Sequence, residues 1–224
     1  MRRKIVYACL VVKGERKMTM KSVKSVMVAI ALTLMVVGVV GVQAQMGGGM
    51  GAGPQVAAGS AVDPAKSMDA AVTRLENLWM GAAQAMPAEK YGFAPSAAIF
   101  VPGQTVKYDG VRTFAQIVTH TIQANYNAFA SVGGIKADVD VQAIGSLKNK
   151  DDIVKALAAT FAFAHKAVAN VTAANAFQSI RGTQTPVTAF AGAIGHAEDE
   201  YGQAVEYLRM NAIVPPASEG RPRM

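Results

Sequence analysis

The longest predicted helix lies in residues 185–216, which read TPVTAFAGAIGHAEDEYGQAVEYLRMNAIVPP. The segment opens on Thr185-Pro186, a capping residue followed by a proline at the first helical position, and it closes on Pro215-Pro216. Between these signals, apolar residues recur at helical spacing: Phe190, Ile194, Ala197, Tyr201, Val205 and Leu208. The pattern predicts one amphipathic helix from Pro186 to about Ala212.

Three further segments with the same periodicity complete a set of four predicted helices. They cover residues 64 to about 86, 114 to about 131, and about 149 to about 171. Asp63 and Thr113 are predicted to cap the first and second helices, and Gly133-Gly134 to end the second. The predicted buried stripe of the second helix contains Phe114, Ile117, Thr121, Ala124 and Ala128. That of the third contains Ile153, Leu157, Phe161 and Ala164.

Four amphipathic helices without a strong strand pattern predict an all-α four-helix bundle. Residues 87–112 join helices 1 and 2 and contain three prolines and three glycines, so we expect a long loop there. A short hairpin at 98–101 and 105–108 fits within this loop. Because the connections are long, a simple up-down-up-down order of the helices does not follow from the sequence.

The excess of positive over negative charge is confined to the first 44 residues of the chain. The whole chain carries 22 Lys and Arg against 15 Asp and Glu, a formal net charge of +7. Eight of the basic residues and one acid, Glu15, lie in residues 1–44, which leaves 14 residues of each sign in the remainder. A nucleic-acid-binding domain in residues 45–224 would carry an excess of basic residues, and this part of the chain has none. The sequence therefore argues against a DNA or RNA partner.

Residues 1–44 are predicted to be a leader that contains a secretory signal peptide. Lys21 and Lys24 form a short positive segment, residues 26–40 are apolar, and small residues up to Ala44 suit a signal peptidase. A membrane anchor is the alternative, which we disfavour because the uncharged run barely reaches the length of a spanning helix. We therefore expect membrane contact only during export, and a periplasmic or extracellular location afterwards.

The boundaries between the other regions of the chain follow from its composition. Residues 1–19 precede a segment that is sufficient as a signal peptide, so we expect that translation starts downstream of Met1. They also contain the only cysteine, Cys9. The exported protein is therefore expected to lack disulfides and thiolate metal sites. Residues 45–62 are rich in Gly and Ala and are predicted to be a flexible tether. The bundle is predicted to span residues 63–218, and residues 219–224 form a short tail.

Two histidines and one glutamate form a candidate metal site. His196 and Glu200 are four residues apart on helix 4, so both side chains leave the same face about one turn apart. His120, on the inward stripe of helix 2, can supply a third ligand from across the core. Two imidazoles and one carboxylate suit Zn, Ni, Mn or Fe(II) and leave positions open for water or substrate. The same spacing also suits an ordinary surface pair, so the residues alone leave both interpretations open.

Two further features surround this candidate site. The residues on the His196 side of helix 4 are small, which predicts a cavity where a substrate can fit: Ala189, Gly192 and Ala193. His165 on helix 3 is flanked by bulky residues and by Lys166, which favours a place at the edge of the core or on the surface over a role as a ligand.

Four segments resemble the DinB superfamily. They are MPAEKYGF (86–93), RTFAQIVTHTIQANY (112–126), GHAEDEYGQ (195–203) and YLRMNAIVPPAS (207–218), and the last of them is fairly specific. The resemblance covers essentially residues 63–218. It implies a four-helix bundle with a divalent metal held by one histidine of the second helix and a His-x-x-x-His pair of the last. His120 and His196 match two of these positions, whereas Glu200 occupies the third.

The resemblance also implies a range of functions. Characterised members include metal-dependent thiol S-transferases and proteins assigned as hydrolases, and many members have no known activity. Glutamate in place of the third histidine shifts the preference of the site toward harder ions, or it marks a site that has lost its metal. We therefore expect either a metal-dependent hydrolase or transferase acting on an unknown small molecule, or a non-catalytic exported helical binding module. Export fits hydrolysis better than thiol transfer, and the sequence leaves a homodimer open.

Overall fold

Four α-helices dominate the part of the chain that the computed structural model describes, residues 56–96, 99, 102–103 and 109–220. They are α1 (Pro64–Ala85), α2 (Phe114–Gly133), α3 (Lys150–Val168) and α4 (Pro186–Met210). Short 3₁₀ helices occupy Ala88–Lys90, Ala143–Ser146 and Pro216–Ser218. In this described part the only β pairing is an isolated bridge between Arg181 and Gln184, so the predicted all-α class is confirmed there.

Several predicted features lie outside the described residues. These are the leader (1–44), residues 45–55 of the tether, most of the hairpin segment in 98–108, and residues 221–224 of the tail. The long loop between α1 and α2 and the domain boundaries therefore stay predictions. None of the helices in the described part has the length and apolar character needed to cross a membrane.

The helices begin where their capping residues predict. The Asp63 carboxylate accepts a hydrogen bond from the backbone N–H of Lys66 at 3.0 Å. Thr113 and Thr185 each form a capping box with the residue three positions later, Gln116 and Thr188. Such caps stabilise a helix by about 0.5–2 kcal/mol each because they pair N–H groups that have no partner inside the helix.

The helix ends differ from the predicted ones by up to three residues. α2 continues to Gly133 because Gly134 adopts the left-handed conformation (φ 63°) that terminates it. α3 ends at Val168 rather than near 171, since the following residues close tight turns in which the Asn170 N–H donates to the Ala167 carbonyl. α4 ends at Met210, and Ala212 two residues later adopts the left-handed conformation (φ 61°) that does not continue a helix.

The order of the helices around the bundle is α1, α3, α2, α4, since α2 and α1 each pack chiefly against α3 and α4. The predicted buried stripe of α3 is confirmed in full. The predicted stripe of α2 is confirmed for Phe114, Ile117 and Thr121, whereas Ala124 and Ala128 are only half-buried. This helix also buries further residues, because it packs on two neighbours and is covered by the 143–146 turn. Its additional buried residues include Val118, Ile122, Asn125, Tyr126 and Phe129.

The buried face of α4 is made largely of small residues and includes one acid. Its buried positions include Ala189, Ala193, Ala197, Glu200, Ala204 and Leu208. Trp79 of α1 is fully buried and donates a hydrogen bond from its indole N–H to the Ala197 carbonyl at 3.0 Å. Arg74 of α1 also contacts Glu198. α1 therefore fixes the turn of α4 that carries His196.

Candidate metal centre

The bundle brings His120, His196 and Glu200 together at the interface of α2 and α4. The Nε2 atoms of the two histidines lie 3.3 Å apart. Glu200 Oε1 lies 3.5 Å from His120 Nε2 and 3.9 Å from His196 Nε2. One candidate ligand atom from each residue lies within 4.8 Å of those of the other two, so the group can hold one metal ion.

These separations match the size of a metal coordination sphere. Two bonds of about 2.05 Å that meet at about the tetrahedral angle place their outer atoms about 3.4 Å apart. The nitrogen–nitrogen distance agrees with this value, and the two nitrogen–oxygen distances exceed it by at most about half an ångström. Small side-chain rotations are therefore enough to bring all three ligand atoms to bonding distance of one ion.

Glu200 is the most buried member of the group, with only 6% of its side chain exposed. Its Oε2 atom is buried and has no hydrogen-bond partner among the described residues. A buried carboxylate oxygen without a partner is costly, because the protein interior replaces the water that would otherwise solvate it. A divalent cation beside Glu200 Oε1 would offset the negative charge of this buried carboxylate, so the residues fit a metal on this ground as well as on distance.

Arg112, which precedes the Thr113 cap of α2, is a site residue that the sequence analysis missed. Its Nη1 atom lies 3.4 Å from Glu200 Oε1, and its side chain is 45% exposed. The Tyr207 hydroxyl donates a hydrogen bond to the Arg112 carbonyl at 3.0 Å, which ties this residue to α4. Arg112 lies outside α2, so helical spacing relates it neither to His120 nor to α4, and the sequence carried no signal for this contact.

His120 is held in a form that suits a ligand. Burial, the Arg112 guanidinium and the neighbouring His196 lower the pKa of His120 below its ordinary value, although the Glu200 carboxylate acts in the opposite direction. A lowered pKa keeps the imidazole neutral at neutral pH, and only the neutral ring has a lone pair available for a metal.

The cavity predicted from the small residues of α4 is present. It has a volume of about 410 Å³ and lies between α2 and α4. Ala189, Gly192 and Ala193 line it from α4, as the sequence indicates, and His196 forms part of its wall. The candidate metal centre therefore adjoins a space large enough for a small molecule.

His165 lies away from this group, at the edge of the core as predicted. Its Nδ1 atom is 2.5 Å from an Asp69 oxygen and its Nε2 atom is 3.2 Å from a Glu76 oxygen, both on α1. The imidazole therefore bridges two carboxylates across the α1–α3 interface, a pairing that the sequence analysis did not anticipate.

A comparison of the chain with models of known protein families finds no match, and a comparison with curated proteins finds no similar sequence.

Proposed function

We propose that this chain is an exported, DinB-like metalloprotein that binds one divalent transition-metal ion through His120, His196 and Glu200 and uses it for hydrolysis or group transfer. The observation that carries the proposal is the convergence of three ligand atoms from two helices within 4.8 Å of one another. The likeness of segments 86–93, 112–126, 195–203 and 207–218 to the DinB superfamily supports it independently of the geometry.

The donor set limits the ion to a short list. Two imidazole nitrogens and one carboxylate oxygen suit Zn, Ni, Mn or Fe(II). When bound, such an ion would act as a Lewis acid and would lower the pKa of a coordinated water or substrate thiol toward neutrality. Three protein ligands leave at least one coordination position for that water or substrate.

The surrounding residues have distinct roles in this proposal. Arg112 places a positive charge 3.4 Å from Glu200 Oε1, which balances the buried carboxylate before an ion binds. It is also half-exposed, so it can contact negative charge on a molecule at the open side of the centre. The Trp79 indole, through its hydrogen bond to Ala197, holds the α4 turn that carries His196.

Metal analysis of matched variants tests the proposal. The purified protein is stripped with chelator, reconstituted anaerobically with Zn²⁺, Ni²⁺, Mn²⁺ or Fe²⁺, and analysed for bound metal and for affinity by titration calorimetry. We expect close to one ion per chain in the wild type. His120→Ala and His196→Ala are expected to weaken binding by more than about 100-fold, since the loss of an outer-shell partner alone costs about 10- to 100-fold.

The matched control is His165→Gln. His165 is another part-buried histidine that faces carboxylates, but it lies outside the candidate centre. Its replacement is expected to leave metal affinity unchanged. Two results would overturn the proposal in favour of a non-catalytic helical module. One is the absence of a bound transition metal in the wild type, and the other is a metal affinity in His120→Ala and His196→Ala that equals that of the wild type.

A further inference from the structure

Arg112 lies against the same carboxylate oxygen that faces the two candidate histidines. Its Nη1 atom is 3.4 Å from Glu200 Oε1, and that oxygen is 3.5 Å from His120 Nε2 and 3.9 Å from His196 Nε2. A guanidinium stays protonated and has no lone pair to offer, so Arg112 cannot itself be a metal ligand. Arg112 and a bound ion would therefore be two cations beside one carboxylate oxygen.

The contact of Arg112 with Glu200 uses only part of the guanidinium. Charge-assisted N–H···O bonds are normally about 2.7–2.9 Å long, and those of arginine are often bidentate. This contact is longer and involves one nitrogen, and no other acceptor pairs with the guanidinium among the described residues. Because the side chain is also half-exposed, its remaining N–H groups are available to a molecule that approaches from solvent.

The side of the centre that faces solvent carries no negative group among the residues that form it. The side chains of His120 and His196 are 34% and 39% exposed, whereas that of Glu200 is 6% exposed. A molecule that arrives from solvent therefore meets the two imidazoles and the Arg112 guanidinium before it meets the carboxylate.

The charges of the centre determine what such a molecule must carry. A divalent ion brings two positive charges and Arg112 brings a third, against the single negative charge of Glu200, and a ligating imidazole is neutral. An ion at Glu200 Oε1 would also repel the nearby guanidinium, which loses its partner to the ion. A negatively charged group next to Arg112 offsets both the excess of positive charge and this repulsion.

We infer that Arg112 selects the substrate of the candidate centre and that this substrate carries a carboxylate or phosphate group. The planar guanidinium matches both groups, because each presents two oxygens that accept parallel N–H bonds. In the metal-free protein Arg112 contacts Glu200, and with an ion at Glu200 Oε1 the guanidinium is released to the anionic group of the substrate. The inference rests on the proposed function, since the excess of positive charge exists only when an ion is bound.

Two pairs of small molecules test the requirement for negative charge. Acetate and dimethyl phosphate are anions, and acetamide and trimethyl phosphate are their neutral counterparts. Each compound is titrated into the purified, Zn²⁺-loaded protein while the backbone signals of His120 and Glu200 are followed by ¹H–¹⁵N NMR. We expect at least one anion to bind with a millimolar dissociation constant, and its neutral counterpart to bind at least about tenfold more weakly. The anion that binds more tightly identifies the group, and chelator-treated protein is expected to bind it at least about tenfold more weakly.

Arg112→Gln is the decisive variant, and Arg209→Gln is its matched control. Arg209 is also a half-exposed arginine in contact with a carboxylate, but that carboxylate belongs to Glu206 rather than to Glu200. Arg112→Gln is expected to weaken anion binding by about tenfold or more, and Arg209→Gln to leave it unchanged. Arg112→Lys, which keeps the charge without the planar fork, is expected to weaken it by about threefold. The Tyr207 hydroxyl bonds the backbone carbonyl of residue 112, so these substitutions leave that bond in place.

The Zn²⁺ affinity of the same variants, measured without added anion, separates a role in recognition from a role in folding. Arg112→Gln is expected to bind Zn²⁺ at least as tightly as the wild type, because the cation beside Glu200 Oε1 is gone. A joint loss of Zn²⁺ and anion affinity in this variant would show a structural role for Arg112 and would overturn the inference.

The outcomes differ according to which proposal fails. If the wild type binds no transition-metal ion, the proposed function fails and the inference fails with it. If the wild type binds Zn²⁺, three results overturn the inference alone: anions that bind no more tightly than their neutral counterparts, anion binding that is equal without Zn²⁺, or equal anion affinity in Arg112→Gln and Arg209→Gln.

Discussion

The Nε2 atoms of His120 and His196 lie 3.3 Å apart, although 76 positions separate the two residues in the chain. A nitrogen pair at this distance has two arrangements available: one imidazole donates a hydrogen bond to the other, or both lone pairs point at one cation. The lowered pKa of His120 leaves that ring neutral in either arrangement. Glu200 Oε1, at 3.5 Å from His120 Nε2, adds the negative charge that favours the cation.

Replacing Glu200 by His tests whether this carboxylate is a ligand. Imidazole suits Zn²⁺ and carboxylate suits Mn²⁺, so Glu200→His is expected to shift the ratio of Zn²⁺ to Mn²⁺ affinity toward Zn²⁺ by on the order of tenfold or more. Competition titrations on both proteins measure the ratio. Asp199→His places the same new side chain one residue away at an exposed position and is expected to leave the ratio unchanged. An unchanged ratio in Glu200→His would show that Glu200 does not bind the ion.

The bridge from His165 to Asp69 and Glu76 predicts a pH dependence of stability. Burial acts to lower the pKa of His165, but the hydrogen bonds and negative charges of the two carboxylates outweigh it and raise the pKa. A raised pKa in the folded state gives stability that is complete below the unfolded value of about 6.5 and is lost as pH rises through the folded value. Because the partners are partly exposed, we expect no more than about 1 kcal/mol.

Urea unfolding of wild type and His165→Gln at about pH 5.5, 7 and 9 measures this contribution. The difference in free energy of unfolding between the two proteins is expected to be largest at the lowest pH and to shrink as pH rises. His120 and His196 remain in both proteins, so their titration cancels in the difference. A difference that is constant with pH, or that grows toward alkaline pH, contradicts the predicted role.

The parts of the fold that depend on residues close together along the chain were predictable from the sequence. Capping by Asp63, Thr113 and Thr185 involves atoms within three or four positions, and the His196 and Glu200 side chains share a face because of helical geometry alone. The cavity next to His196 was also predictable, since small side chains on one stripe cannot fill the space.

The parts of the fold and of the candidate site that depend on packing between helices were not predictable from the sequence. Arg112 approaches Glu200 only because α2 and α4 are neighbours, and the order of helices in a bundle does not follow from periodicity. The carboxylates around His165 lie on α1, 89 and 96 positions earlier in the chain.

Gly133, the last residue of α2, lies at a close approach of α2 to α3. A Cβ at this position would lie 2.5 Å from both the Cα and the carbonyl oxygen of Ala167, which are backbone atoms and cannot rotate away. Gly133→Ala is therefore expected to destabilise the protein by about 1–3 kcal/mol in chemical denaturation. Gly202→Ala, where the new methyl group meets open space, is expected to be neutral or stabilising by up to about 1 kcal/mol. Equal effects of the two substitutions would contradict the close approach.

The predicted signal peptide specifies the first residue of the exported protein. Cleavage after Ala44 leaves Gln45 at the N-terminus, and intact-mass spectrometry of the protein produced in an exporting bacterial host measures it. Ala44→Phe introduces a large side chain at the cleavage position and is expected to slow processing. A mature N-terminus upstream of Met27 would mean that the apolar segment is retained, which favours the membrane anchor.

A bound ion is expected to stabilise the folded bundle, because His120 and Glu200 converge only when α2 and α4 are packed together. A ligand that binds only the folded state at about 100 times its dissociation constant adds about 2.7 kcal/mol, which for a chain of this size corresponds to a rise of roughly 5–10 °C in melting temperature. Scanning calorimetry with and without Zn²⁺ measures the rise, and chelator is expected to reverse it. His120→Ala is expected to show little or no rise, whereas His165→Gln is expected to show the full one. A wild-type melting temperature that is indifferent to both Zn²⁺ and chelator would identify Glu200 as the remnant of a site that no longer binds metal.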